Sequence, residues 1–153
     1  FQQALQIYID FNDRYAQAST LHHLGIVAQE QRQWPQAQQY FQQALQIKID
    51  FNDRYEQAST LQGLGVVARE QRQWDKAREQ FLQALTICVE YNNMYNGRGV
   101  IGSLARLWKE STDATILPAI ASILDIAPDE VEKMFREIAK DEAASDEQTA
   151  IEN

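Results

Sequence analysis

The sequence is poor in cysteine and has no long apolar runs. Among its 153 residues Cys88 is the single cysteine, so no disulfide can form within the chain and nothing indicates an oxidising compartment. No apolar run approaches the roughly 18 residues that a membrane helix needs. The amino terminus also lacks the charged-then-apolar pattern of a signal peptide. These absences predict a soluble cytoplasmic protein with no membrane partner, and we expect Cys88 to be an unreactive surface thiol.

Basic side chains are outnumbered by acidic ones, and the excess of acidic side chains is almost entirely confined to the C-terminal end. The formal net charge is -8. Residues 1–124 carry 12 acidic and 11 basic side chains, whereas residues 125–153 carry 10 acidic and 3 basic ones. Nucleic acids and anionic membranes are bound through a basic surface, and this sequence offers none. We therefore expect no nucleic-acid partner.

What the sequence does have is an internal repeat of 40 residues. Residues 1–40 and 41–80 are identical at 29 of 40 positions without a gap, and Phe1, Phe41 and Phe81 mark three starts of the period. A fixed period of this size is typical of a solenoid, because each unit can bury its apolar face only by stacking on its neighbours.

Each repeat contains two helical patterns that meet at a tight turn. In the first pattern, Leu21, Leu24, Gly25 and Ala28 follow the i, i+3, i+4, i+7 spacing of one helix face. Asn residues between the hairpins tolerate the left-handed conformation that ends helices. The predicted helices are roughly Arg14–Glu30, Pro35–Phe51, Arg54–Glu70 and Asp75–Tyr91.

These residues resemble the tetratricopeptide pattern in its variety of about 40 residues. The string Leu-x-x-Leu-Gly-x-x-Ala occurs at 21–28 and again at 61–68, followed in each copy by the expected Ala, Phe and Ala. The resemblance implies an all-α fold, a right-handed α-solenoid of stacked antiparallel helix hairpins with capping helices at the C-terminus. It covers residues 1–110, which would comprise the second helix of a truncated repeat, two full repeats and the start of a third.

The two ends of the sequence depart from the repeat. Residues 1–10 have the pattern of a second helix without its first, so we expect a fragment of a longer array, with Ala4, Leu5, Ile7 and Phe11 facing solvent or a neighbouring molecule. Residues 111–140 are expected to form two capping helices, at 115–124 and 128–139. The acidic residues 141–153 are expected to be disordered.

Three patterns that could carry chemistry have simpler explanations. The G-x-G-x-x-G spacing at 97–102 matches dinucleotide-binding loops, but such a loop follows a strand and here a helix precedes it. His22 and His23 point about 100° apart on a helix and cannot chelate one metal. A helix-turn-helix outline at 120–135 would present an acidic helix to phosphates. We predict no enzyme, no cofactor and no metal site.

The positions that differ between the copies indicate a binding groove. In tetratricopeptide arrays the first helices of the hairpins line a concave groove, and three of the four groove positions differ between the first two copies. We predict a groove with an apolar ridge and a basic end that binds a protein or peptide segment, with glycines that admit a partner backbone; simple drift of exposed positions is the alternative. The predicted residues are Ser19, His22, Ile26, Gln29, Ser59, Gln62, Val66, Arg69, Gly99, Gly102, Arg106 and Lys109.

The repeat sequences also resemble a particular group of arrays. The strings Asn-Asp-Arg-Tyr-x-Gln-Ala-Ser-Thr and Glu-Gln-Arg-Gln-Trp look like those of the C-terminal sensor arms of bacterial, especially cyanobacterial, STAND-type signalling ATPases. This resemblance implies a ligand-sensing arm in signal transduction, although the ATPase string Gly-x-x-x-x-Gly-Lys-Ser/Thr is absent here. The alternative is a structural array that self-associates through its open N-terminal face and acts as an assembly scaffold.

Overall fold

The computed structural model describes residues 2–10 and 13–152, and within these ranges the chain is helical with no strand. The helices run antiparallel in pairs, as the two patterns of each repeat predict, and each of the first six helices packs on its neighbour in sequence. The helices are α1 (Gln2–Asp10), α2 (Arg14–Glu30), α3 (Trp34–Asp50), α4 (Arg54–Glu70), α5 (Trp74–Glu90), α6 (Met94–Ser111), α7 (Ile116–Leu124) and α8 (Pro128–Glu152). The predicted fold class, an all-α solenoid of stacked hairpins, is confirmed.

The turns show how the sequence ends and restarts each helix. Asn52 and Asn92 have left-handed φ angles of 55° and 51°, as predicted; Asn12 lies outside the described residues. Arg32 and Arg72 take the same conformation inside the hairpins, which the sequence did not predict. Helices α2, α4 and α6 begin directly after Asp13, Asp53 and Asn93. The side chains of these three residues accept hydrogen bonds from the backbone N–H three residues further on.

The stacking depends on phenylalanines that pack against glycines. Phe41 and Phe81 are almost completely buried at the centres of α3 and α5. A Cβ on Gly25 or Gly63 would lie 2.7 Å from the Phe41 ring, and one on Gly65 would lie 2.5 Å from the Phe81 ring. Because only glycine allows this approach, the spacing of Phe and Gly fixes how each hairpin closes and how α4 sits on α3.

The third repeat begins with α6 and is completed by α7 and α8, which differ in length from the helices of the first two repeats. α7 has 9 residues, against 17 in α3 and α5, and it packs on α5 and α8. Ile116 and Ile120 of α7 and Val131 and Phe135 of α8 are buried in the same apolar cluster as Leu104 of α6. The last apolar face of the array is thus covered within the chain.

Two predictions about the ends need correction or refinement. Residues 141–152 continue α8 as a helix, where disorder was predicted. Glu142 reaches Arg106 of α6, and the alanines of this stretch favour helix, which explains the difference. In α1, Ile7 is 53% exposed as expected, whereas Leu5 packs against the cluster of Ala18 and Leu21. Phe11 lies outside the described residues.

Candidate binding groove

The predicted groove residues lie on three helices that follow one another through the stack. α2 contacts α4, and α4 contacts α6. We call the twelve predicted residues on these helices the groove face. None of them is buried, whereas Leu21, Leu24 and Ala28 on another face of α2 are. The exposed members are Ser19, Ser59, Gly99, Arg106 and Lys109, and the half-buried members are His22, Ile26, Gln29, Gln62, Val66, Arg69 and Gly102.

The first two helices of the groove face meet at His22. His22 Nδ1 lies 3.1 Å from Thr60 Oγ1 of α4, and the imidazole lies 5.4 Å from the Phe41 ring, centroid to centroid. Burial of the ring, followed by the positive charge of Lys48 and the neighbouring His23, lowers the pKa of His22 to about 4. At neutral pH the groove face therefore carries an uncharged imidazole at this junction.

Two residues behind His22 were missed by the sequence reasoning. Lys48 is 5% exposed, and its Nζ donates to Thr60 Oγ1 at 2.8 Å and to the backbone oxygen of Glu56 at 3.0 Å. Burial lowers the pKa of Lys48, an effect that the charge of Glu56 partly opposes. The sequence held a signal, because Lys48 stands where the other copies have Tyr8 and Cys88, but the period alone does not show whether the side chain points inwards.

The apolar ridge at the centre of the groove face consists of Ile26 and Val66, and both side chains are half-buried. Ile26 packs against the buried cluster that contains Phe41 and Leu64, and Val66 packs against the cluster that contains Phe81. Both side chains remain partly accessible. The ridge is therefore anchored in the core of two consecutive repeats, and part of its apolar surface remains accessible.

The predicted basic end differs in the structure, because its arginines already have acidic partners. The Arg69 side chain is only 11% exposed, and its guanidinium lies 2.9 Å from Glu70 and 3.9 Å from Glu110. Arg106 donates twice to Glu142 of α8, at 2.6 Å and 3.0 Å. Lys109 lines a pocket of about 270 Å³ between α6 and α8 that also contains Glu142. This end of the groove face is close to neutral.

The glycines of the groove face are not required by packing. A Cβ on Gly102 would meet no atom within 4 Å, and one on Gly99 would lie 3.6 Å from the Gln62 side chain. Both glycines lie within α6, and no described glycine has a positive φ. The G-x-G-x-x-G spacing thus lies inside a helix and does not form the strand-to-helix loop that holds a pyrophosphate.

Cys88 is placed differently from the sequence prediction of a surface thiol. It is 2% exposed. Burial raises the pKa of its thiol, so the reactive thiolate form is disfavoured. The stretch of chain from residue 13 to 152 and helix α1 contain no group of three His, Cys, Asp or Glu side chains arranged to hold a metal ion.

None of the described helices combines the length and the apolar character that crossing a membrane requires.

Comparison with known proteins agrees with the repeat. The model of the tetratricopeptide repeat family matches residues 1–50 and residues 17–90, which together make up more than half of the chain. A comparison with curated proteins gave no match. The matched region contains α1 to α5, the helices in which Phe41 and Phe81 pack against glycines. The chain belongs to the tetratricopeptide repeat family, whose helical arrays generally mediate protein–protein interaction or assembly and are typically non-catalytic.

Proposed function

We propose that the groove face of α2, α4 and α6 binds a segment of another protein. The observation that carries this proposal is the half-open apolar ridge of Ile26 and Val66, flanked by accessible polar side chains on consecutive repeats. A ridge of this kind suits a peptide that places apolar side chains between polar ones. Ser19 and Ser59 at the exposed edge supply hydroxyl groups for the partner's backbone.

We also propose that this module is the recognition arm of a larger bacterial signalling protein. The Asn-Asp-Arg-Tyr and Glu-Gln-Arg-Gln-Trp strings support that assignment by their resemblance to sensor arms. Binding of a trigger protein in the groove would then be read by domains elsewhere in the protein, in the cytoplasm.

The experiment compares partner capture by three versions of the chain. The first is the parent, and the second carries Ser59→Arg and Gly102→Arg, which fill the groove face from positions that packing leaves open. The third carries Gln43→Arg and Gln83→Arg, which add the same charge at exposed positions of α3 and α5. We expect the groove variant alone to lose the partner, while neither variant melts at a lower temperature than the parent. Equal capture by all three versions would refute the groove.

A second candidate, self-association as a scaffold, is favoured by the exposed apolar side chains of α1. Ile7 and Ile9 are 53% and 49% exposed. Sedimentation of the parent over a range of concentrations, beside a version with Ile7→Ser and Ile9→Ser, tests it. Mass that rises with concentration in the parent and not in the variant would support the scaffold.

A further inference from the structure

A chain of hydrogen bonds runs from the core of the array to the groove face. Lys48 Nζ lies 2.8 Å from Thr60 Oγ1, and Thr60 Oγ1 lies 3.1 Å from His22 Nδ1. Lys48 is 5% exposed and Thr60 is completely buried, so water cannot replace either bond. Three side chains from α2, α3 and α4 are thereby linked in a fixed order.

The order of donors follows from the chemistry of the groups. A lysine ammonium can only donate, so Thr60 Oγ1 accepts from Lys48 and directs its own proton elsewhere. Among the described residues, His22 Nδ1 is the acceptor that lies within hydrogen-bond reach of this hydroxyl group. A ring whose Nδ1 accepts is neutral and carries its proton on Nε2.

The other ring nitrogen of His22 faces outwards. Among the described residues, no hydrogen bond to His22 Nε2 is formed, and this nitrogen is not one of the buried polar atoms left without a partner. Nε2 is therefore accessible to solvent, and it lies one helical turn from Ile26 on α2.

We propose that Lys48 and Thr60 are positioning residues that hold His22 as a neutral imidazole and present its Nε2–H to a backbone carbonyl of a segment bound in the groove. The inference rests on the proposed function of the groove face. A neutral donor beside an apolar ridge suits an extended peptide, whose carbonyl oxygens otherwise lose their water on binding. The role is specific to this junction, because the equivalents of Lys48 and Thr60 in the next repeat are Cys88 and Val100.

The charges around the ring keep the donor in place at neutral pH. Lys48 on α3 and His23 on the same helix both disfavour the imidazolium, and no carboxylate of the described residues lies within ion-pair distance of the ring. The nearest acid of the network, Glu56, lies 4.0 Å from Lys48 Nζ and is half exposed. The Nε2–H donor therefore does not depend on small changes of pH near neutrality.

The first test reads the tautomer of His22 by nitrogen NMR of the ¹⁵N-labelled chain and needs no partner. In the parent we expect Nε2 to be protonated in essentially all of the neutral rings, with the Thr60 hydroxyl proton protected from exchange and coupled to Nδ1. Thr60→Val should yield a mixture of tautomers, and Thr60→Ser should restore the parent spectrum. Thr20→Val, at the equivalent buried position of the first repeat, is the matched control for the change in volume.

A second arm uses acetyl-triglycine amide, which offers only backbone groups, as the probe. At high concentration it should shift the His22 Nε2–H signal more than the His23 signal in the parent, and less in Thr60→Val. A proton on Nδ1 in the parent, or the same tautomer ratio in the parent and Thr60→Val, would overturn the inference. These outcomes leave the capture experiment on the groove unaffected, so the two proposals fail separately.

Discussion

The two inter-repeat junctions share a backbone arrangement and differ in chemistry. Where α4 stacks on α2 and α3, the interior holds the charged and polar pair Lys48 and Thr60. Where α6 stacks on α4 and α5, the equivalent residues are Cys88 and Val100. The second pair is as well buried as the first, with 2% and 1% exposed. The fold therefore accepts either a hydrogen-bonded or an apolar filling at this place.

The buried apolar pair and the buried polar pair stabilise their junctions in different ways. The apolar pair stabilises by removal of its surface from water and makes no demand on protonation. The polar pair must keep every hydrogen bond, because a buried group without a partner costs about 1–3 kcal/mol. In return it orders His22 on the groove face. A repeat that only supports the stack has no need of this arrangement.

The largest expected effect concerns the glycine that admits Phe41. Gly63 corresponds to Ser103 at the second junction, but a Cβ at Gly63 would lie 2.7 Å from the Phe41 ring. Gly63→Ser should therefore cost about 1–3 kcal/mol, as overpacking usually does. Gly102→Ala is the control, since a Cβ there meets nothing within 4 Å and helix propensity improves by up to about 1 kcal/mol. Urea unfolding of both variants checks this, and equal effects would contradict it.

The next effect tests whether the polar junction can be converted into the apolar one. Thr60→Val should lower the free energy of unfolding by about 1–2 kcal/mol, because Lys48 loses a buried acceptor. Adding Lys48→Met removes a charge that burial already disfavours, so the double variant should recover most of the loss. A double-mutant cycle by urea unfolding measures the coupling. If each change lowers the free energy of unfolding and the two losses add in the double variant, the two junctions are not interchangeable.

The third effect is a pH dependence confined to the first junction. The folded pKa of His22, about 4, lies below the ordinary value of about 6.5. The unfolded chain thus binds the proton more readily, and stability is full above about pH 6.5 and falls as the pH is lowered toward 4. Between pH 7 and 5 we expect a loss of about 1 kcal/mol, after allowance for the solvent contact of the ring.

The matched variant for this effect is His22→Gln, which introduces the residue found at Gln62. Its unfolding midpoint should change less than that of the parent between pH 7 and 5. The paired carboxyls of Asp50, Glu90 and Asp113 have lowered pKa values, so they titrate below this window and affect both proteins alike. Parallel pH profiles for parent and variant would show that His22 is not the group responsible.

The fold could be predicted from the sequence because its determinants recur. The Phe41 and Phe81 positions, the glycines opposite them and the asparagine turns appear in successive copies, so the period revealed them together. The residues of the groove face could be placed for the same reason. The repeat defines which helix face each position lies on.

The remaining features depend on contacts between residues that do not recur. Lys48 reaches Thr60 because two copies differ at one position, and nothing in the period shows that a lysine there turns inwards. The basic end was mispredicted because the side chains were counted by sign and not by contact: Glu70 directly follows Arg69, and Glu142, which pairs with Arg106, comes from α8 outside the repeats. The helix at 141–152 was missed for a related reason, since acidic composition alone does not show whether a basic partner is near.

The smallest expected effect lies at the exposed edge, where the α2–α3 hairpin and the α4–α5 hairpin have the same kind of ion pair. Arg54 donates to both carboxylate oxygens of Glu90, at 2.7 Å and 2.9 Å, whereas Arg14 makes one bond of 2.7 Å to Asp50. All four side chains are at least 35% exposed, so solvent weakens both pairs and each contributes little to stability. The bidentate pair should contribute more, because its geometry fixes both partners.

We expect Arg54→Gln to lower the melting temperature slightly more than Arg14→Gln in dilute buffer. Both losses of melting temperature should disappear in about 1 M salt, where charges are screened within about 3 Å. A difference that survives in salt would mean that the arginine stems stabilise the edge by packing, and the two hairpins would then differ at their surface, as the two junctions differ in their interior.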